Sequence, residues 1–319
     1  MNGASNDKVR QDCLLGGMWG LLFGSAFGEV RLAWFKEHPK TGSIRNRIAG
    51  ASWSIEGAQT LCLLTALRRR NSSLEGLAER AVDWARLGVY FPDSEFGFSQ
   101  LDGPVTSPTL YGATYPALED FHRQAVEQSA LLFVVPLLWN SEDNTDIQVL
   151  VRQFLTLGKL AARDDIDQAA LVMTLLWAKS LVDKSSDAWQ AAADRIRALK
   201  SELQLSETSI EIVINISSGD RSCTQNHRLL FLLAYVHEVL DFTKSFDQAV
   251  DFAMPPRPEL RIPMMLTGAM AGLHYGMSDI PPEWITGLRG RELAKACLAQ
   301  SRASSAIYAP AFGSEADLT

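Results

Sequence analysis

Apolar residues recur every three or four positions in segment after segment of this chain, the spacing that lines one face of an α-helix. Cys13–Phe27 opens the pattern and carries Gly16, Gly20, Gly24 and Gly28 four residues apart, a ridge of absent side chains that lets a second helix approach closely. Because each such glycine costs a helix about 1 kcal/mol, the run implies tight packing or a bend. Further helices are predicted over Glu56–Arg69, Leu74–Leu87, Leu118–Trp139, Asp146–Leu160, Asp165–Val182 and Asp187–Leu203. The last four open at or near acidic, Ser or Asn residues able to cap free N–H groups. His227–Leu240, Ser245–Ala253, Pro263–Gly276 and Arg291–Ser301 complete the set, interrupted by the break Pro255-Pro256-Arg257-Pro258. Only Ile210–Ile216 alternates strictly, which reads as a short strand or a buried loop. The predicted class is all-α, and without a fixed-period repeat it is not a solenoid.

Polar interruptions set the organisation. Residues 38–52 form a Gly-containing loop, and residues 88–115 turn to Gly, Pro, Ser and Thr with scattered aromatics. A loop that long inside a domain usually has a function or forms a lid, so 88–115 is the surface on which a partner is expected. Nothing among the 319 residues reads as a linker. The expectation is a flexible N-terminus over 1–11, one domain over 12–302, and a flexible tail over 303–319.

With 47% hydrophobic and 21% charged residues and a mean hydropathy of −0.01, the chain can bury a substantial core. A net charge of −7 with interspersed signs excludes a field that would attract nucleic acid, and Arg68-Arg69-Arg70 reads as cations at a helix C-terminus. Cys13, Cys62, Cys223 and Cys297 lack metal-binding spacing and read as reduced core thiols of a cytoplasmic protein. The apolar stretch Cys13–Gly28 holds five glycines and follows Asp12, which does not suit a signal peptide. The longest other apolar stretch, Leu131–Trp139, is nine residues against the ~20 needed to span a bilayer, so no membrane partner is expected.

Several segments, in order, bear a family likeness. SFDQAVDFA followed by LTGAMAGLHYGMSDIPPEWITGL, the opening LLGGMWGLLFGSAFGE, the central SALLFVVPLLW and the helix AARDDIDQAALVMTLLWAKSL resemble the ADP-ribosylglycohydrolase family. The resemblance implies a single-domain orthogonal helical bundle of the ADP-ribosylglycohydrolase type. It also implies two magnesium or manganese ions and ADP-ribose in the site, with hydrolysis of the bond to a modified arginine or related acceptor.

Two hard dications a few ångströms apart need several carboxylates. The family supplies them from a Thr-Asp-Asp-Thr turn opening its second helix and an Asp-Thr-Asp-Thr turn late in the chain. Here the first turn reads Trp53-Ser54-Ile55-Glu56-Gly57, with Glu56 as its one acid, and the second reads Glu259-Leu260-Arg261-Ile262. Arg261 sets a fixed cation where a second carboxylate belongs. The opening helix has Gly20-Leu21 for the family's Gly-Asp and Gly28 at its glutamate position, with Glu29 one residue out of phase. The family's Thr-His-Gly-Asp-Pro turn becomes Ala162-Arg163-Asp164-Asp165-Ile166, keeping Asp165. Arg257-Pro258 stand in place of the late glycine pair, removing an N–H donor where a phosphate would approach.

The resemblance and the substitutions together give a catalytically degenerate member, with no cofactor expected, whose cleft binds a protein partner or an ADP-ribose-like ligand. On this reading Glu56 and Glu259 cap helices or pair with Arg261. The alternative is a divergent active hydrolase in which Glu56, Glu259 and Asp165 hold one Mg²⁺ or Mn²⁺ ion, Glu56 is catalytic, and Ser54, Asp165 and Arg261 contact the ligand. A purely structural oligomer component is the third option. His237-Glu238 lacks the second histidine of a zincin motif, and Ser25 lacks the spacing of a nucleophile elbow, so both read as structural.

Overall fold

The computed structural model describes residues 3–37, 50–67, 90, 130–141, 145–158, 162, 164–218, 227–253 and 261–305. The predicted helix Leu74–Leu87, the loop 88–115 apart from Tyr90, and residues 118–129 lie outside them, as do Arg163, Cys223 and Glu259. The described residues form α1 (Gly3–Glu37), α2 (Ile55–Ala66), α3 (Val134–Asn140), α4 (Ile147–Gly158), α5 (Asp165–Val182) and α6 (Ala188–Leu203). There follow α7 (Glu207–Ile214), α8 (Arg228–Phe242), α9 (Phe246–Phe252), α10 (Arg261–Tyr275), α11 (Pro282–Gly287) and α12 (Arg291–Ser305), with short 3₁₀ turns between some of them. No strand occurs among the described residues, in keeping with the all-α class.

The strand expected over Ile210–Ile216 is instead helix α7 and a 3₁₀ turn. Its buried apolar residues are Ile210, Val213 and Ile214, three and four apart, while Glu211 turns out to pair with Arg197. Ser206 caps the helix by accepting from the Ser209 N–H, a local bond that decides for helix over strand. Asp164 and Asp187 cap α5 and α6 in the same way. Helix α1 begins at Gly3, well ahead of Cys13, and Arg10 donates from Nη2 to the carbonyls of Leu138 and Ser141 at 3.2 and 2.8 Å, tying that end to the C-terminus of α3.

Helix α1 packs most extensively against α10. A Cβ on Gly20 would lie 2.0 Å from the Gly268 carbonyl oxygen, one on Gly268 would lie 2.1 Å from that of Gly20, and one on Gly16 would lie 2.3 Å from that of Gly272. The glycine ridge therefore serves backbone contact between two helices. Below it, Trp284 of α11 fits edge-on among Phe23, Phe27 and Phe246, at ring-centroid distances of 6.0, 4.7 and 6.0 Å. Two backbone bonds, Gly50 N–H to the Gly287 carbonyl and Arg289 N–H to the Ala51 carbonyl, both 2.8 Å, clamp the segment entering α2 to the end of α11. No described helix is long and apolar enough to cross a membrane. Cys13, Cys62 and Cys297 are buried.

Gly20→Ala and Gly268→Ala each drive a methyl group into backbone that has nowhere to go. Each is expected to lower stability by about 3 kcal/mol in urea denaturation. Gly158→Ala meets only the Cδ1 end of Leu171, at 2.7 Å, which can rotate away. It is expected to stay within about 1 kcal/mol of the parent protein.

Candidate functional site

Ser54 stands at the N-cap of α2, but its hydroxyl does not cap the helix. It donates instead to Glu56 Oε2 at 2.5 Å. Its backbone N–H donates to Ser25 Oγ at 2.7 Å, and the two hydroxyl oxygens are also 2.7 Å apart. Since the Ser54 proton goes to Glu56, Ser25 supplies the proton between the hydroxyls, giving a chain Ser25 to Ser54 to Glu56. The Met265 sulfur lies 4.0 Å from Ser54 Oγ. Ser25 and Met265 are fully buried, Ser54 is 7% exposed, and Glu56 is half-buried.

Three elements deliver these groups. The close crossing of α1 and α10 sets Gly24 against the Met264 carbonyl, where a Cβ would lie 2.3 Å away, and the next residues, Ser25 and Met265, both reach Ser54. The clamp on residues 50 and 51 brings in Ser54. Trp53 anchors it further, donating from Nε1 to the Tyr90 carbonyl at 2.8 Å, while the Tyr90 hydroxyl bonds Thr65 of α2 at 2.6 Å.

The structure thus unites Ser54 and Glu56, and adds Ser25 and Met265, which the sequence did not single out as site residues. Glu259 lies outside the described residues, Arg261 is the first residue of α10 with its side chain undescribed, and the Glu29 side chain is likewise undescribed. Asp165 is exposed at the start of α5 and makes no hydrogen bond or ion pair among the described residues.

Tested against a pair of hard divalent ions, the described donors do not fit. They comprise one carboxylate, already bonded to a hydroxyl, together with two hydroxyls bonded to each other and a thioether, which magnesium and manganese do not favour.

A second constellation lies at the N-termini of α5 and α8, where Asp164, Asp167 and His227 bring one donor atom each to within 4.8 Å of one another. His227 Nδ1 is 3.5 Å from Asp164 Oδ2 and 3.7 Å from Asp167 Oδ1. The Asp164-x-x-Asp167 spacing places both carboxylates on one turn, a signal visible in the sequence; His227 arrives from a remote segment, and no local pattern announces it. Elsewhere, a surface depression of about 450 Å³, whose lining includes Glu207, Glu211, Asn215 and Leu230, touches neither constellation.

His237 proves to be a packing residue. Its ring lies 4.0 Å from that of Trp189 and 5.4 Å from that of Trp177, with Nδ1 3.2 Å from Asp241. Burial pushes its pKa below the ordinary imidazole value, against the pull of Asp241 and Asp187. Burial also lowers His274, and the charge of Lys184 adds to the effect.

A family model described as ADP-ribosylglycohydrolase matches residues 5–310. A solved structure titled "ADP-ribosylglycohydrolase-related protein complex" superposes with a TM-score of 0.64 at 21% identity, covering 93% of this chain and 99% of that one. At that identity it shows the shared fold. No curated protein sequence matches.

Because both histidines titrate below 6.5 in the folded chain, the unfolded chain binds more protons between the lowered pKa values and 6.5. Stability from these groups is full above that window and falls as the pH drops through it. Denaturation midpoints measured between about pH 8 and about pH 5 should decline on the acid side. The decline should be shallower in His237→Asn, and an unchanged slope in that variant would show that another group sets it.

Proposed function

The chain belongs to the ADP-ribosylglycohydrolase family, and we propose that it is a non-hydrolysing, regulatory member, retaining the scaffold to bind an ADP-ribose-like ligand or a protein partner. The observation that carries this reading is the Ser25–Ser54–Glu56 chain at the position of the family's first acidic turn. A metal ion taking Glu56 Oε2 would have to displace the Ser54 hydroxyl, giving up a charge-assisted bond of about 1.5–3 kcal/mol, and Oε1 alone offers it a single anionic donor. One carboxylate would then face up to four positive charges. Glu259 adds a single further acid, two residues from Arg261 in the sequence, whose guanidinium carries a permanent positive charge. The electrostatic balance thus favours a site held together by its own hydrogen bonds.

Binding and turnover separate this reading from an active hydrolase. Calorimetric titration with ADP-ribose should give the same result with and without Mg²⁺ or Mn²⁺, and incubation with ADP-ribosylated arginine should release no ADP-ribose above the uncatalysed rate. Metal-dependent release that Glu56→Gln abolishes would instead establish a divergent hydrolase working through Glu56.

A further inference from the structure

We propose that Asp164, Asp167 and His227 form a binding site for one divalent d-block cation of the zinc type, on helices other than those that carry Ser25, Ser54 and Met265. Their separations are the first ground. At 3.5 and 3.7 Å, the imidazole nitrogen stands at ion-pair distance from both carboxylate oxygens, longer than an ordinary hydrogen bond to either. A tetrahedral ion about 2.0–2.1 Å from each nitrogen or oxygen donor places its donors about 3.4 Å apart. The two measured edges lie within a few tenths of an ångström of that spacing.

The way each group is held is the second ground. Asp164 Oδ1 accepts from the N–H groups of Ile166 and Asp167, both at 3.0 Å, which fixes its carboxylate and leaves Oδ2 as the atom facing His227. Asp167 sits one turn further along α5 with a side chain only 6% exposed. His227 occupies the N-cap of α8, yet its side chain makes no cap bond, so the ring is committed to the cluster and not to its own helix. Capping accounts for Asp164, and charge would draw a protonated ring to a carboxylate; a bound dication in addition accounts for one ring nitrogen facing both carboxylates from 3.5 and 3.7 Å.

Donor chemistry sets the class of ion. Two carboxylates neutralise a dication, and an imidazole nitrogen selects zinc-type ions over magnesium or calcium, which take oxygen. Asp164 is 48% exposed on its side chain, which leaves the remaining coordination position open to water or a ligand. The site is independent of the non-hydrolysing reading, since neither Ser54 nor Glu56 takes part in it.

The test uses the full chain freed of metal with a chelator and titrated with Zn²⁺ by calorimetry, with Co²⁺ as a spectroscopic probe of tetrahedral coordination. One equivalent should bind, and excess Mg²⁺ should not displace it. His227→Gln should weaken binding at least about ten-fold, since even the loss of a group behind a ligand costs that much. Asp164→Asn should weaken it likewise while leaving the fold intact, because Asn caps a helix as well as Asp does. Glu56→Gln should bind as the parent does. The proposal is overturned if the folded chain takes up no Zn²⁺. It is also overturned if His227→Gln binds as tightly as the parent, or if uptake is lost in Cys223→Ser and kept in His227→Gln.

Discussion

Everything built around the site rests on the contact of α1 with α10, where backbone meets backbone because glycine faces glycine. A β-carbon at Gly16, Gly20, Gly268 or Gly272 would come within 2.0–2.3 Å of the opposing carbonyl oxygen, so the two axes can be this close only without side chains. The residues that follow these glycines inherit their height along the crossing. Ser25 follows Gly24, and Met265 follows the residue whose carbonyl Gly24 meets. The same constraint that holds the domain together therefore sets which groups face Ser54.

What faces Ser54 decides the chemistry. Hydroxyls, a thioether and one carboxylate satisfy one another, whereas a dinuclear hydrolase needs acids that repel until metal ions arrive between them. Holding unpaired carboxylates together costs stability in the absence of the ions. On the proposed non-hydrolysing reading the chain is spared that cost, with Ser54 donating to Glu56 in place of a metal ion.

Much of the helical order was legible. Asp165–Val182 has the boundaries expected from its capping acid and apolar spacing, and Ala188–Leu203 and Phe246–Phe252 fall within a residue of expectation. Ile210–Ile216 misled because a run of isoleucine and valine satisfies a period of two as well as one of 3.6, and only the Ser206 cap and the burial of Val213 decide between them. Helix α11 escaped notice because six residues between Pro281 and Leu288 are too few to show a period. Of the site, Ser54 and Glu56 were legible from the family's motif position. Ser25, Met265 and His227 were not, since each joins its cluster through tertiary packing across long stretches of sequence. At α5 the reading fell on Asp165, but it is Asp164 and Asp167 that turn toward His227, a matter of helical phase within a single turn.

The most direct measurement on the central claim is anomalous diffraction from crystals soaked in Mn²⁺, examined at Ser54 and Glu56. With the hydroxyl chain intact, no bridged pair of manganese peaks is expected there, and Ser54 Oγ should remain on Glu56. Two peaks sharing Glu56 as a ligand would contradict the non-hydrolysing reading and make the protein a working metal-dependent hydrolase.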